Sequence, residues 1–215
     1  MRIKYRYWLT WPLRACVICF AGINAIAESG GQQEILFLGD SLTDGYTIGM
    51  KHSYPTLIQG MLDQKGLRYR VINAGRSGDT AEQALARLPK YRSQRIALAL
   101  VALGANDAFQ QLPIAETKRA LSAIISQLKE WNGSTKIVLA GVKPLVLTSK
   151  EYEQALADMY RALSSEYGVP LIPNLLQGVQ GVLELNISDE IHPNAAGHKV
   201  MADVVAAKLL EQLSS

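Results

Sequence analysis

Cysteine is nearly absent: the 215-residue chain has two, Cys16 and Cys19, both close to its N-terminus. A fold stapled by disulfides is therefore excluded. Histidine is scarce as well. Three are present, His52, His192 and His198, too few for a metallohydrolase built on a dense His/Asp cluster. Acidic residues are missing from the start of the chain, where none precedes Glu28. There is no internal repeat, no low-complexity tract and no second-domain linker. No apolar run reaches the ~20 residues that span a bilayer. With 48% hydrophobic and 19% charged residues, the composition fits one globular domain, not a disordered chain or a membrane bundle.

The acid-free start has a pattern of its own. Arg2, Lys4, Arg6 and Arg14 are basic, and an apolar stretch over 15–26 is broken only by Gly22 and Asn24. Ala25-Ile26-Ala27 then supplies a small-x-small cleavage site. Residues 1–27 are expected to be a secretory signal and residues 28–215 the domain, placed in a periplasm or outside the cell. Neither cysteine lies in a lipobox, so no stable membrane anchor is expected. The leader holds four of the 22 basic residues and both cysteines, so its removal turns a formal charge of +3 into about −1. A basic patch for nucleic acid is thereby excluded, and so is a cysteine nucleophile.

The rest of the chain alternates. Apolar runs over 34–38, 69–74, 96–103, 136–141 and 169–172 read as strands. Helical spacing occupies 54–65, 80–88 (with Thr80 as cap), 114–131, 150–167 and 195–213. Strands separated by helices pair in parallel through crossovers, so the expected architecture is a three-layer α/β/α sandwich on a five-stranded parallel sheet. Ligand sites in such sheets form at the carboxyl ends of the strands. Gly39-Asp40-Ser41, residues 75–79 and Gly104-Ala105-Asn106-Asp107 fall there.

Ser41 alone reads most simply as an N-cap serine. As a nucleophile it would need a base. His52 sits in a polar stretch and reads as surface, and His198 falls inside the last helix and needs no special role. His192 follows Asp189 by three residues, close enough for the carboxylate to reach Nδ1 and leave Nε2 as base. Alone, that spacing fits a helix-capping loop equally well. Oxyanion donors are available at the strand ends: the Ser41 amide, a glycine amide in 73–80, and the Asn106 side chain. Each has a plainer reading as turn or loop chemistry. Asp40, Asp44, Asp79 and Asp107 read as caps or braces.

Together these blocks resemble the GDSL/SGNH hydrolase family. Gly39-Asp40-Ser41-Leu42, the glycine loop ending at Gly78, Gly104-Ala105-Asn106-Asp107 and Asp189-x-x-His192 come in the family's order. Leu38 to Tyr46, Ser77 to Thr80, Ala86-Arg87-Leu88-Pro89 and Ile191-His192-Pro193-Asn194 look most like the bacterial thioesterase I / arylesterase / lysophospholipase branch. The resemblance implies an SGNH-hydrolase, flavodoxin-like fold. It implies Ser41 as nucleophile, His192 as base and Asp189 as its orienting carboxylate, with Ser41, Gly78 and Asn106 as oxyanion donors. It implies small ester or thioester substrates, lysophospholipids among them, with no cofactor, metal, nucleic acid or obligate protein partner. Phe109, Leu112 and Leu145 are expected to meet the acyl group. The family's acyl groove is lined by loops that correspond to 142–148, apolar here, and 178–185, free of aromatics here, so chain-length preference does not transfer. No Gly-x-Ser-x-Gly elbow surrounds Ser41, which disfavours the α/β-hydrolase fold. Two rivals stand beside this reading: a carbohydrate O-acetylesterase on the same site, and a non-catalytic binding module.

Overall fold

The computed structural model describes residues 32–131, 133–144 and 148–214. The expected leader, residues 1–27, and Leu145 lie outside the described residues. Five parallel strands form one sheet: β1 (Gln33–Gly39), β2 (Tyr69–Gly75), β3 (Ile96–Ala102), β4 (Lys136–Ala140) and β5 (Leu171–Ile172), in the order β2-β1-β3-β4-β5. The helices are α1 (Ser41–Asp44), α2 (Tyr54–Gln64), α3 (Ala81–Arg87), α4 (Ala105–Phe109), α5 (Ile114–Trp131), α6 (Lys150–Tyr167) and α7 (Ala195–Ser214). α2 packs with α7, while α3 and α6 each pack on α5, giving helices on both sides of the sheet. No helix among the described residues is long and apolar enough to cross a membrane.

The strands are apolar on both faces because both faces are covered. Residues 35–38 of β1 and 98–101 of β3 are wholly buried. Each such Leu, Ile, Val or Phe side chain contributes about 1.5–3 kcal/mol relative to exposure. The long helices follow from their period: Thr117, Ala120, Leu121, Ile124, Ile125 and Leu128 form the buried stripe of α5. α3 starts at a capping box in which the Thr80 hydroxyl accepts from the Gln83 amide and the Gln83 side chain accepts from the Thr80 amide.

β5 is shorter than the expected 169–172. The Val169 amide donates to the Ser164 carbonyl at 3.0 Å, closing the end of α6, and Pro170 has no N–H for the ladder. The Pro170 carbonyl still accepts from Leu139 at 2.9 Å.

The strand order reverses at β1, between β2 and β3. A crevice opens at the carboxyl ends of β1 and β3, where such a sheet binds ligands. Two glycines shape it. At Gly75 a Cβ would lie 2.2 Å from the Asp44 backbone nitrogen, so only glycine lets α1 fold down over the end of β2. Gly104 turns the chain out of β3 at φ +113°, and a Cβ there would lie 2.2 Å from the Tyr160 hydroxyl.

Candidate active site

Ser41 is the first residue of α1, two positions after β1 ends. Asp40 caps that short helix: its Oδ1 accepts from the Leu42 amide at 3.0 Å. Initial amides of a helix have no partner within it, so the Ser41 N–H is uncommitted to the helix, and Ser41 borders the crevice.

His192 arrives from a loop. The Ile187 amide donates to the His192 carbonyl at 2.9 Å, and Asn186 and Pro193 form an antiparallel bridge that closes the turn. Within it Glu190 has φ 57°, a left-handed conformation unusual for a residue with a side chain. Asp189 holds the turn from inside. Its Oδ1 accepts from the Ile191 and His192 amides, each at 2.9 Å, and its Oδ2 lies 2.6 Å from His192 Nδ1. The three-residue spacing thus works as an Asx-type turn that fixes loop and imidazole together. Desolvation opposes the Asp189 charge, but the His192 amide and ring and the Ile191 amide outweigh it and hold the carboxyl below its ordinary range. An ionised Asp189 keeps the proton on Nδ1, which donates to it. Nε2 then accepts from the Ser41 hydroxyl, at 3.0 Å across 151 positions of sequence.

Asn106 stands on α4, beyond the Gly104 turn. Its Nδ2 donates to the Asp79 carbonyl at 2.9 Å. Gly78, beside Asp79, has φ +86° and open space where a Cβ would be. Ser41, Asn106 and His192 border one cavity of about 200 Å³, whose other walls include Leu42, Ala105, Phe109, Val142, Pro144, Leu176 and Ile191. Lys143 is the cavity's cationic edge. The arrangement can activate a hydroxyl for attack on a carbonyl that carries an apolar group.

Of the three residues expected to meet an acyl group, Phe109 lines the cavity and is 71% exposed. Leu112, also expected to meet the acyl group, is not among the described residues that line it. Gln111 turns left-handed at φ 52°, and Leu112 is tied down by its backbone, its amide to the Asp107 carbonyl and its carbonyl to the Tyr152 hydroxyl. Leu145 lies outside the described residues. Gly78 is on the loop beside the cavity and not in its wall.

The acids cap and brace as expected. Asp107, buried, accepts from the Ala81 amide at 2.9 Å and the Thr117 hydroxyl at 3.0 Å, and burial raises its pKa. Asp44 accepts from the Ser77 hydroxyl at 2.6 Å. Asp40 is more than a cap. It is wholly buried, its Oδ2 has no partner among the described residues, and its pKa is raised to about 7, by burial first and then by the charges of Asp107 and Asp79. Among the described residues no three His, Cys, Asp or Glu side chains come together to hold a metal ion.

Two residues were missed. Tyr46 places its ring 4.7 Å from the His192 ring; its one sequence signal is its place at the end of the Ser41 block. His198, read as needing no role, is buried. Its Nδ1 accepts from the Tyr54 amide at 3.1 Å, it stacks on the Tyr54 ring, and burial lowers its pKa to about 4. His52 is exposed, as expected.

Known proteins resemble this chain in sequence and in overall fold. The family model described as the GDSL-like lipase/acylhydrolase family matches residues 37–200. An arylesterase of Vibrio mimicus is 33% identical over 188 residues, covering 87% of this chain and 93% of its own. Thioesterase 1/protease 1/lysophospholipase L1 of Escherichia coli K12 is 32% identical over 176 residues, 81% of this chain and 82% of its own. The crystal structure of TesA superposes with a TM-score of 0.78 at 28% identity, covering 83% of this chain and 98% of that one.

Proposed function

The chain belongs to the GDSL-like lipase/acylhydrolase family and is a carboxylic ester or thioester hydrolase, and from that premise we propose that Ser41, His192 and Asp189 are its catalytic triad. The amides of Ser41 and Gly78 and the side chain of Asn106 form the oxyanion site. The observation that carries the proposal is the continuous relay from Asp189 Oδ2 through His192 to Ser41 Oγ, with links of 2.6 and 3.0 Å, opening on the cavity.

In the first half-reaction His192 Nε2 takes the Ser41 proton as Oγ attacks the carbonyl carbon. The carbonyl oxygen gains negative charge and meets the three donors. His192 then gives its proton to the leaving alcohol or thiol as the bond to it breaks, leaving an acyl-enzyme. Water attacks this ester in the second half-reaction, with His192 again accepting a proton and then returning it to Ser41. Asp189 stabilises the imidazolium formed at each stage and keeps its tautomer.

The apolar walls support an acyl group over a sugar ring, which sets the carbohydrate O-acetylesterase reading second. The relative from E. coli, named a thioesterase and lysophospholipase, supports extending the substrates to thioesters and lysophospholipids. The expected leader supports action outside the cytoplasm. The test is hydrolysis of p-nitrophenyl acetate and longer acyl homologues by the wild type and by Ser41→Ala. Turnover that vanishes in the variant supports the reading; turnover that persists contradicts it.

A further inference from the structure

Arg87 belongs to the Ala86-Arg87-Leu88-Pro89 segment, and the proposed chemistry gives it no task. It ends α3, with a side chain only 9% exposed. Its Nε donates to Asp79 Oδ2 at 2.5 Å, and its Nη2 donates to the Gly39 carbonyl at 3.0 Å. Gly39 lies two positions before Ser41. Asp79 follows Gly78, and the Asp79 amide closes the 76–79 turn on the Arg76 carbonyl at 3.1 Å. The Asp79 carbonyl is the group that accepts from Asn106 Nδ2. One buried guanidinium therefore reaches every segment that carries a proposed oxyanion donor: the Ser41 turn directly, the Gly78 turn through the Asp79 carboxylate, and Asn106 through the Asp79 carbonyl.

We propose that Arg87 is a positioning residue for the oxyanion site. It sets the distance between the end of β1 and the 76–79 turn, and so aims Asn106 at the crevice. The inference rests on the triad and oxyanion reading above. The planar fork of arginine supplies two donors at a fixed angle, one for a carboxylate and one for a carbonyl. A lysine would keep the charge opposite Asp79 and lose that geometry. A buried ion pair that serves stability alone predicts something else: its loss lowers the melting temperature and leaves the chemical step alone.

The test uses Arg87→Lys in the full chain, with p-nitrophenyl acetate as substrate. The kcat is expected to fall by about 10–100-fold with KM within about twofold, as small misplacements of catalytic groups do. The same substitution in an Asn106→Ala background is expected to cost less than about fivefold, because the group it aims is gone and the two effects do not multiply. If Arg87→Lys does not fold, the neutral pair Arg87→Gln/Asp79→Asn removes both buried charges at once, and the same loss and the same non-additivity are expected. A kcat within twofold of wild type in the folded variant, or an undiminished loss in the Asn106→Ala background, overturns the proposal. Labelling by a fluorophosphonate separates this from failure of the underlying reading. A wild type labelled at Ser41 with unaffected Arg87→Lys turnover removes Arg87 alone; a wild type unlabelled at Ser41 removes the triad reading and this proposal with it.

Discussion

The ring of Tyr46 lies 4.7 Å from the ring of His192, tilted by 48°. The Tyr46 amide also donates to the Ser41 carbonyl at 3.2 Å, so one residue is bound to the nucleophile's backbone and rests against the base. Tyr46 is 46% exposed and shields one side of the imidazole. An aromatic contact of this kind is worth about 0.5–1.5 kcal/mol beyond its buried area. Tyr46→Ala is expected to lower kcat about 2–10-fold, and Tyr46→Phe to keep it. Steady-state kinetics on a p-nitrophenyl ester check this; equal losses in both variants would show that the hydroxyl matters and not the ring contact.

Asp189→Asn should act on the tautomer. The asparagine oxygen can still accept from the Ile191 and His192 amides, so the loop keeps its shape. The Nδ2 group then faces His192 Nδ1 as a donor, which drives the proton to Nε2 and removes the base. The corresponding change in a serine protease costs ~10⁴. Here the loop's own hydrogen bonds hold the ring in part, so kcat is expected to fall roughly 10²–10³-fold with little change in KM. Near-normal turnover would take Asp189 out of the triad.

Asn106→Ala separates catalysis from bracing. One hydrogen of Nδ2 is spent on the Asp79 carbonyl, and the other remains for the oxyanion. Removing one oxyanion donor costs about 10²–10³ in kcat, while the lost Asp79 bond costs about 1 kcal/mol of stability. Melting temperature measured beside kcat and KM tells the two apart. A destabilised chain with unchanged kcat would make Asn106 scaffold only.

Much of this was legible in the sequence where the physics is local. The expected helices over 114–131 and 150–167 coincide with α5 and α6, because a buried stripe at helical spacing cannot be placed any other way. Ser41, Asp189 and His192 stood out because each sits in a short block whose turn chemistry is written in neighbouring residues. What was not legible is non-local. Leu112 looks like any apolar residue beside the Asn106 block until the Gln111 turn and the Tyr152 hydroxyl fix its place. Nothing near Tyr46, Arg87 or His198 in sequence says that they meet His192, Gly39 and Tyr54, because strand order and helix packing create those contacts.

Asp40 and His198 make opposed contributions to stability against pH. The folded pKa of Asp40 is raised from 3.8 to about 7, so from pH 4 to 7 the folded state holds a proton that the unfolded state has lost, and stability falls as pH rises. The folded pKa of His198 is lowered from 6.5 to about 4, so over that range the unfolded state holds the extra proton, and stability falls as pH drops. Each slope is about 1.4 kcal/mol per pH unit, and between pH 4 and 6.5 the two nearly cancel. Asp40→Asn, which keeps an acceptor for the Leu42 amide, should unmask the histidine: stability then rises with pH across this window. His198→Asn, which keeps an acceptor for the Tyr54 amide, should give the opposite slope. Urea unfolding at several pH values reads both; identical pH profiles for the two variants would contradict the assignment.

Everything proposed for the site depends on Ser41 being a nucleophile activated by His192. The direct measurement is mass spectrometry of the chain after treatment with a fluorophosphonate, followed by peptide mapping. One adduct is expected, on Ser41, absent in Ser41→Ala and formed at least about 100-fold more slowly in His192→Ala. An adduct on a different serine, or full-rate labelling without His192, would contradict it.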